Sequence, residues 1–253
     1  MQIPDDLVVS LRSARHVVVL TGAGVSADSG IPTFRDALTG LWEKFDAEDL
    51  ATPEAFKRDP PLVWGWYEWR RGQAMRAQPN RGHLSIAALE RRVPKFTLTT
   101  QNVDDMHERA GSSSPIHLHG SLSQPRCFAC NRPHVLPPGM PDEPDGGRRL
   151  EPPRCHFCGG RVRPGVVWFG EPMPATAWKA ANAAAQSCDL MFVVGTSGLV
   201  YPAASLPTLA AENGATIVQV NPAPTSLDGA ADHNLLGPAG NAMVAVIEAT
   251  WSA

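Results

Sequence analysis

Long apolar runs are missing from the 253-residue chain. None approaches the roughly 18 residues that a membrane-spanning helix needs, so no membrane association is expected. An excess of basic charge is missing too. Lys and Arg total 22 against 25 Asp and Glu, a net charge of −3, which gives no general attraction to nucleic acid. Direct nucleic-acid binding is therefore not expected, and the basic pairs Arg70-Arg71 and Arg91-Arg92 read as solvated helix faces. Met1 to Asp6 is short and acidic, the opposite of a secretory or mitochondrial leader, so a cytoplasmic setting is expected. In that setting the five cysteines point to metal ligation rather than disulfides. Internal repeats and low-complexity tracts are also lacking. What remains, 43% hydrophobic and 19% charged residues, suits one large domain or a large one with a small one.

The chain is organised around Val17-Val18-Val19-Leu20, a short buried strand by its β-branched run. It ends in Gly22-Ala23-Gly24-Val25-Ser26-Ala27, a Gly-x-Gly-x-x-Ala turn. Two glycines there allow backbone N–H groups to approach an anion, and a helix starting at the turn would face it with partial positive charge. This is the dinucleotide-binding fingerprint with Ala third, although a Gly-Ala-Gly turn is also an ordinary strand-to-helix connection. The carboxylate that grips a ribose about twenty residues on has no secure candidate, since Asp46 and Glu48 lie outside any strand pattern. Ser29-Gly30-Ile31-Pro32 then breaks the helix before Phe34-Arg35. A loop lying over the ligand is expected, not a dehydrogenase's continuous helix.

Residues 5–15 read as a short amphipathic helix, and residues 37–81 as a helical, aromatic insertion with Trp42, Phe45, Phe56, Trp64, Trp66, Tyr67 and Trp69. Tyr67 and Arg70 are three apart and share a helix face; an aromatic stripe with a solvated arginine is the plainer reading. A strand over Phe96–Thr99 runs into Gln101-Asn102-Val103-Asp104-Asp105. Helix capping needs one such polar residue and this run supplies four, which favours a site at the strand's carboxyl end. Ile116-His117-Leu118-His119-Gly120 repeats the pattern. His119, beside a glycine turn, is the better general-base candidate, but spacing separates it poorly from His117.

Cys127-x-x-Cys130 and Cys155-x-x-Cys158 form two knuckles able to close a tetrahedral zinc site. Four thiolates leave no open position, so the metal is structural. Cys188 has no partner and reads as a small apolar core residue. Val166–Glu171 is extended, either a core strand or an edge where a peptide pairs. Strands follow at Asp189–Val194 and Thr216–Val220, with helices at Ala177–Ala185 and Ala242–Trp251. Strands alternating with helices imply an α/β fold with a parallel, doubly wound sheet. The expected arrangement is a Rossmann-like domain of residues 1–36, 82–122 and 164–253. The helical insertion 37–81 and the zinc module 123–163 would form the small domain.

In this order, Gly22–Ser26 with Ser29–Arg35, Thr100–Asp104, His119-Gly120, the cysteine pairs, Phe169-Gly170-Glu171, Gly195-Thr196-Ser197 and Val220-Asn221-Pro222 resemble the sirtuin family of NAD-dependent protein lysine deacylases. The resemblance covers nearly the whole chain. It implies that Gly22, Ala23, Gly24, Ala27, Phe34 and Arg35 surround NAD, with Gln101, Asn102 and Asp104 at the nicotinamide and its ribose. Gly195, Thr196, Ser197, Asn221 and Ala239 would meet the adenosine half, and His119 would be the base. Val167 and Phe169 would contact the acyl-lysine protein substrate. The Tyr67-x-x-Arg70 pair resembles the branch that removes succinyl, malonyl or glutaryl groups as well as acetyl, where an arginine forks onto the acyl carboxylate. A monomer is expected. The alternative activity is protein ADP-ribosyl transfer from the same cofactor cleavage; a non-catalytic binding module would have no need of His119.

Overall fold

The computed structural model describes residues 1–31, 46–139, 141–144 and 146–251. Strands β1 (His16–Thr21), β2 (Lys95–Thr100) and β3 (Ile116–His117) come first, then an antiparallel pair, β4 (Gly120–Cys127) and β5 (Val162–Val166). Strands β6 (Leu190–Val194), β7 (Thr216–Asn221) and β8 (His233–Leu236) follow. The main sheet is parallel throughout, in the order β3-β2-β1-β6-β7-β8. All six residues of β1 are buried. A central parallel strand is covered on both faces, which is why its sequence shows an apolar run rather than alternation.

Side-chain alternation along each strand splits the core in two. Val17, Val19, Phe192, Val194, Val218 and Val220 face one layer, made by α1 (Asp5–Ser13), α6 (Arg81–Glu90) and α10 (Ala239–Trp251). Val18, Leu20, Met191, Val193 and Ile217 face the other, made by α8 (Ala175–Ser187) and α9 (Leu206–Glu212). Each fully buried branched side chain contributes roughly 1.5–3 kcal/mol of transfer free energy, so these faces fix the register. The sheet bears out the expected doubly wound α/β architecture.

From β1 the chain steps outward to β2 and β3, then returns past β1 to β6 and steps outward the other way. The order therefore reverses between β1 and β6, and a crevice opens at their carboxyl ends.

A second core surrounds Phe56, Trp64, Trp66, Tyr67 and Trp69, with Leu122, Val162, Val166 and Trp168 from the β4–β5 side. Its helices include α3 (Ala47–Leu50), α4 (Pro53–Arg58) and α5 (Pro60–Arg76), the last two each opened by a proline after a capping side chain. Thr52 Oγ1 accepts from the Ala55 amide and Asp59 Oδ1 from the Leu62 amide. Helix α5 is apolar around most of its circumference and buried accordingly.

Candidate active site at the strand ends

The Gly22–Ala27 turn begins where β1 stops, and most of it folds into one short helix, α2 (Gly24–Ala27). Its glycines are required by a close neighbour. A Cβ on Gly24 would lie 2.8 Å from the Gly195 backbone, and Gly195 itself has φ +64°. The Gly22 amide donates to the Val194 carbonyl and the Gly24 amide to the Gly195 carbonyl. These two N–H groups lock the β1 turn to the β6 turn, and the crevice is floored by paired backbone. Phe34 and Arg35 lie outside the described residues, as do Trp42 and Phe45.

Polar side chains crowd the crevice. Gln101 Nε2 donates to Thr196 Oγ1 (3.0 Å), and Asn221 Nδ2 donates to the Thr196 carbonyl (3.0 Å), so the ends of β2, β6 and β7 are tied through one residue. Ser197 is half-buried next to Thr196. Ala239 opens α10 where that helix packs on α2 and α6. Asn102 and Asp104 are both buried. Burial pushes the Asp104 carboxyl up from its ordinary value, while the Met106 amide and the Ser26 hydroxyl pull it down.

The two candidate imidazoles separate by their partners. His119 Nδ1 lies 3.1 Å from the Gln101 carbonyl. A carbonyl only accepts, so Nδ1 carries the proton and Nε2 keeps its lone pair; no described residue bonds Nε2. Burial lowers the pKa of His119 despite the opposing carbonyl, so the ring is a neutral base at physiological pH. His117 has both nitrogens engaged, by the Asn102 carbonyl (3.2 Å) and Glu108 Oε1 (2.7 Å).

Beneath the crevice lies a network that the spacing arguments did not find. Asn80 caps α6: its Oδ1 accepts from the Gly82 amide, while its own amide donates to His83 Nδ1 (3.3 Å). His83 Nε2–H then points at Ser26 Oγ (3.4 Å), which accepts from Asn102 Nδ2 and donates to Asp104 Oδ2. His107, on α7 (Met106–Arg109), bonds Thr21 Oγ1 (2.9 Å), which donates to Thr100 Oγ1 (2.8 Å). Desolvation lowers His83 to about 4 and His107 to about 3. The signal for His83 was the Asn-x-x-His spacing, a capping box with imidazole in the usual glutamate position.

At the small domain, Tyr67 OH accepts from Trp168 Nε1 (3.1 Å). Burial pushes the phenol up to about 12, so it stays a neutral O–H donor. The Arg70 guanidinium stacks over the Trp66 ring, 5.0 Å from its centroid, and feels the charge of Asp104. Strand β5 ends at Val166, earlier than the extended run expected through Glu171. Arg163, 3.4 Å above the Trp168 ring, pairs with Glu171 and bends the segment into a turn. There the Val167 amide bonds the His119 carbonyl, which sets Val167 next to the crevice, and the Phe169 amide bonds the Ala51 carbonyl, which ties exposed Phe169 to the second core.

The sulfurs of Cys127, Cys130, Cys155 and Cys158 lie within 4.8 Å of one another, with Cys127–Cys158 at 3.5 Å and Cys130–Cys155 at 3.8 Å. Tetrahedral zinc with sulfur at about 2.3 Å requires sulfur–sulfur edges of about 3.8 Å, so the donor set fits that ion. Cys188 is buried in the sheet's core, its thiol pushed up to about 11 by desolvation.

A parallel sheet with a switch-point crevice, a pendant four-cysteine module and one imidazole at the crevice define a class of dinucleotide-dependent enzyme. Residues 22–202 match the model of the Sir2 family. The chain is similar to the "NAD-dependent protein deacylase" of Methylococcus capsulatus, at 64% identity over 98% of each chain. It is also 57% identical to "NAD-dependent protein deacylase 1" of Pseudomonas aeruginosa, over 92% of this chain and 93% of that protein. Among solved structures, a Sir2 homologue–NAD complex superposes with TM-score 0.89 at 43% identity, covering 98% of this chain and 94% of that one. A Sir2–p53 peptide–NAD complex superposes with TM-score 0.84 at 29% identity over 98% of each. The chain belongs to the Sir2 family, the sirtuins.

Proposed function

We propose that the chain is an NAD-dependent protein-lysine deacylase, with an acyl pocket fitted to short dicarboxylic acyl groups as well as acetyl. The single observation that carries the catalytic part is neutral His119 at the switch-point crevice, with an Nε2 that no described residue bonds. Solved relatives hold NAD, ADP-ribose or an acetyl ADP-ribose, which supports the same reading. When bound, NAD supplies the nicotinamide–ribose bond that breaks and the ADP-ribose that accepts the acyl group. Gln101, Asn102 and Asp104 orient the nicotinamide end, and Thr196, Ser197, Asn221 and Ala239 the adenosine end. Gly22, Ala23, Gly24 and Ala27 line the floor between them. Zinc at Cys127, Cys130, Cys155 and Cys158 is structural.

His119 Nε2 would take the proton of a ribose hydroxyl as that oxygen bonds the acyl carbon and the lysine nitrogen leaves it. One water, entering after the acyl oxygen has replaced nicotinamide on the sugar, completes the balance: acyl-lysine, NAD and water give free lysine, nicotinamide and O-acyl-ADP-ribose. The burial that keeps the ring neutral also keeps water from the sugar. Val167 and Phe169 hold the substrate backbone and the aliphatic part of the lysine. In the acyl pocket, Trp168 donates to the Tyr67 oxygen, so the phenol's own hydrogen is directed to a carboxylate. Arg70 adds the charged partner.

Peptides carrying acetyl-, malonyl- and succinyl-lysine, incubated with NAD and analysed by mass, test both parts. Arg70→Met is expected to lose about 10- to 100-fold on succinyl-lysine, the worth of a charge-assisted hydrogen bond, and far less on acetyl-lysine. Equal losses on both would leave Arg70 with a structural role only.

A further inference from the structure

His117 is not consumed by this mechanism, yet it touches the residues the mechanism relies on. It sits at the end of β3, with Nδ1 3.2 Å from the Asn102 carbonyl and Nε2 2.7 Å from Glu108 Oε1 on α7. Both partners are acceptors. A neutral imidazole has one N–H, so it satisfies one of them and turns a lone pair toward the other. Only the imidazolium, donating from both nitrogens, matches both distances.

We infer that His117 is a positioning residue: as a cation it ties the Asn102 carbonyl to the Glu108 carboxylate and holds the Gln101–Asp104 run in its binding conformation. The inference rests on that run's role in holding NAD. Consecutive carbonyls are then gripped by alternate residues of one short segment, Gln101 by His119 and Asn102 by His117, with opposite charge requirements. His119 works neutral; His117 works charged.

The charges around His117 agree. Glu108 and, more weakly, Asp104 favour the cation, and the neighbouring His107 is itself kept neutral by burial. Of the elements packed on β3, β2 presents the uncharged Thr99 and Thr100, and the one charged residue of α8, Lys179, is exposed. The pKa of His117 is raised above 6.5 by Glu108, the Asn102 carbonyl and Asp104, which outweigh desolvation, and Glu108 is lowered in turn by His117. The device weakens as pH rises through that value.

Two measurements decide it. In the first, histidine-labelled full-length protein is titrated by NMR without ligand. The His117 ring is expected to titrate above 6.5, and in Glu108→Gln to move down. A ring that titrates at or below 6.5 in both proteins overturns the inference.

In the second, KM for NAD is measured from pH 6 to 9 at saturating acetyl-lysine peptide. For the unaltered chain it is expected to rise about two- to tenfold through the His117 titration, the worth of one hydrogen bond. In His117→Gln it is expected to be flat. A purely structural His117 would alter the level of KM but leave the pH step in place, and that result also overturns the inference. If the unaltered chain consumes no NAD at any pH, the deacylase reading fails instead, while the NMR titration still decides whether His117 is the charged bridge.

Discussion

Acid should unfold this protein by an amount set by His83 and His107. Both rings are fully enclosed and lie edge to face, with centroids 4.9 Å apart. Desolvation holds them at about 4 and about 3, against 6.5 when exposed. The folded values are depressed, so the unfolded chain binds more protons at pH 5. The stability these rings contribute is present above 6.5 and is lost as pH falls toward the folded values. At pH 5 an unfolded imidazole is almost wholly protonated and the buried one still neutral. Each ring therefore costs roughly 1.8 kcal/mol of stability between pH 7 and pH 5. His117, raised by its acceptors, works the other way, gaining stability below 6.5. The test is a difference: urea unfolding followed by tryptophan fluorescence, at pH 7 and pH 5, for the unaltered chain and for His107→Gln. The variant is less stable at both pH values because Thr21 loses its donor, but its loss between pH 7 and pH 5 should be smaller by about 1.8 kcal/mol. Contributions from His117 and from metal release appear in both proteins and cancel. An unchanged loss on acidification, or a His107 resonance titrating near 6.5, would refute the argument.

Three further outcomes follow from the same structure. Because burial lowers His119, kcat/KM for the acyl peptide should stay level as pH falls to 6.5 and decline only below it; a decline centred above 6.5 would show that another group is the base. Purified protein should carry one zinc, released by a thiol-reactive mercurial together with unfolding of the small domain, as expected where metal binding is folding free energy; full activity of the metal-free protein would contradict a structural site. Phe192→Ala, in the centre of the sheet with no exposed surface, should cost about 3–5 kcal/mol in chemical denaturation, and a loss under 1 kcal/mol would place the core elsewhere.

The sequence was most legible where one physical demand acts on consecutive residues. The apolar runs of β1, β6 and β7 are visible because central parallel strands are buried on both faces, and the cysteine knuckles because four thiolates on one ion need fixed spacings. Strand β8 was not anticipated: His233-Asn234-Leu235-Leu236 lies at the sheet edge, with only Leu235 buried, so it lacks the apolar run. The sequence motif explains the glycines of the first turn as room for an anion, whereas Gly22 and Gly24 also make room for Gly195, a partner some 170 residues away that no local pattern discloses. The same holds for the contacts of His83 and His107, although the Asn-x-x-His spacing does carry a local signal for the cap on His83. Each bonds a hydroxyl on another element, Ser26 or Thr21, and meets the other only after the chain has folded. The ambiguity between His117 and His119 was real in the sequence, since both follow the same strand pattern. What tells the two apart is their partners, an acceptor pair for one and a single carbonyl for the other, and the proposal of His119 as the base rests on that difference.

The most direct test is a product balance with one acyl-lysine peptide, NAD and either the unaltered chain or His119→Ala, each species quantified by mass. One nicotinamide, one free lysine and one O-acyl-ADP-ribose per turnover are expected from the unaltered chain, and none from His119→Ala although that variant still binds NAD. Release of the acyl group as a free acid with NAD intact, or ADP-ribose left on a protein side chain, would contradict it.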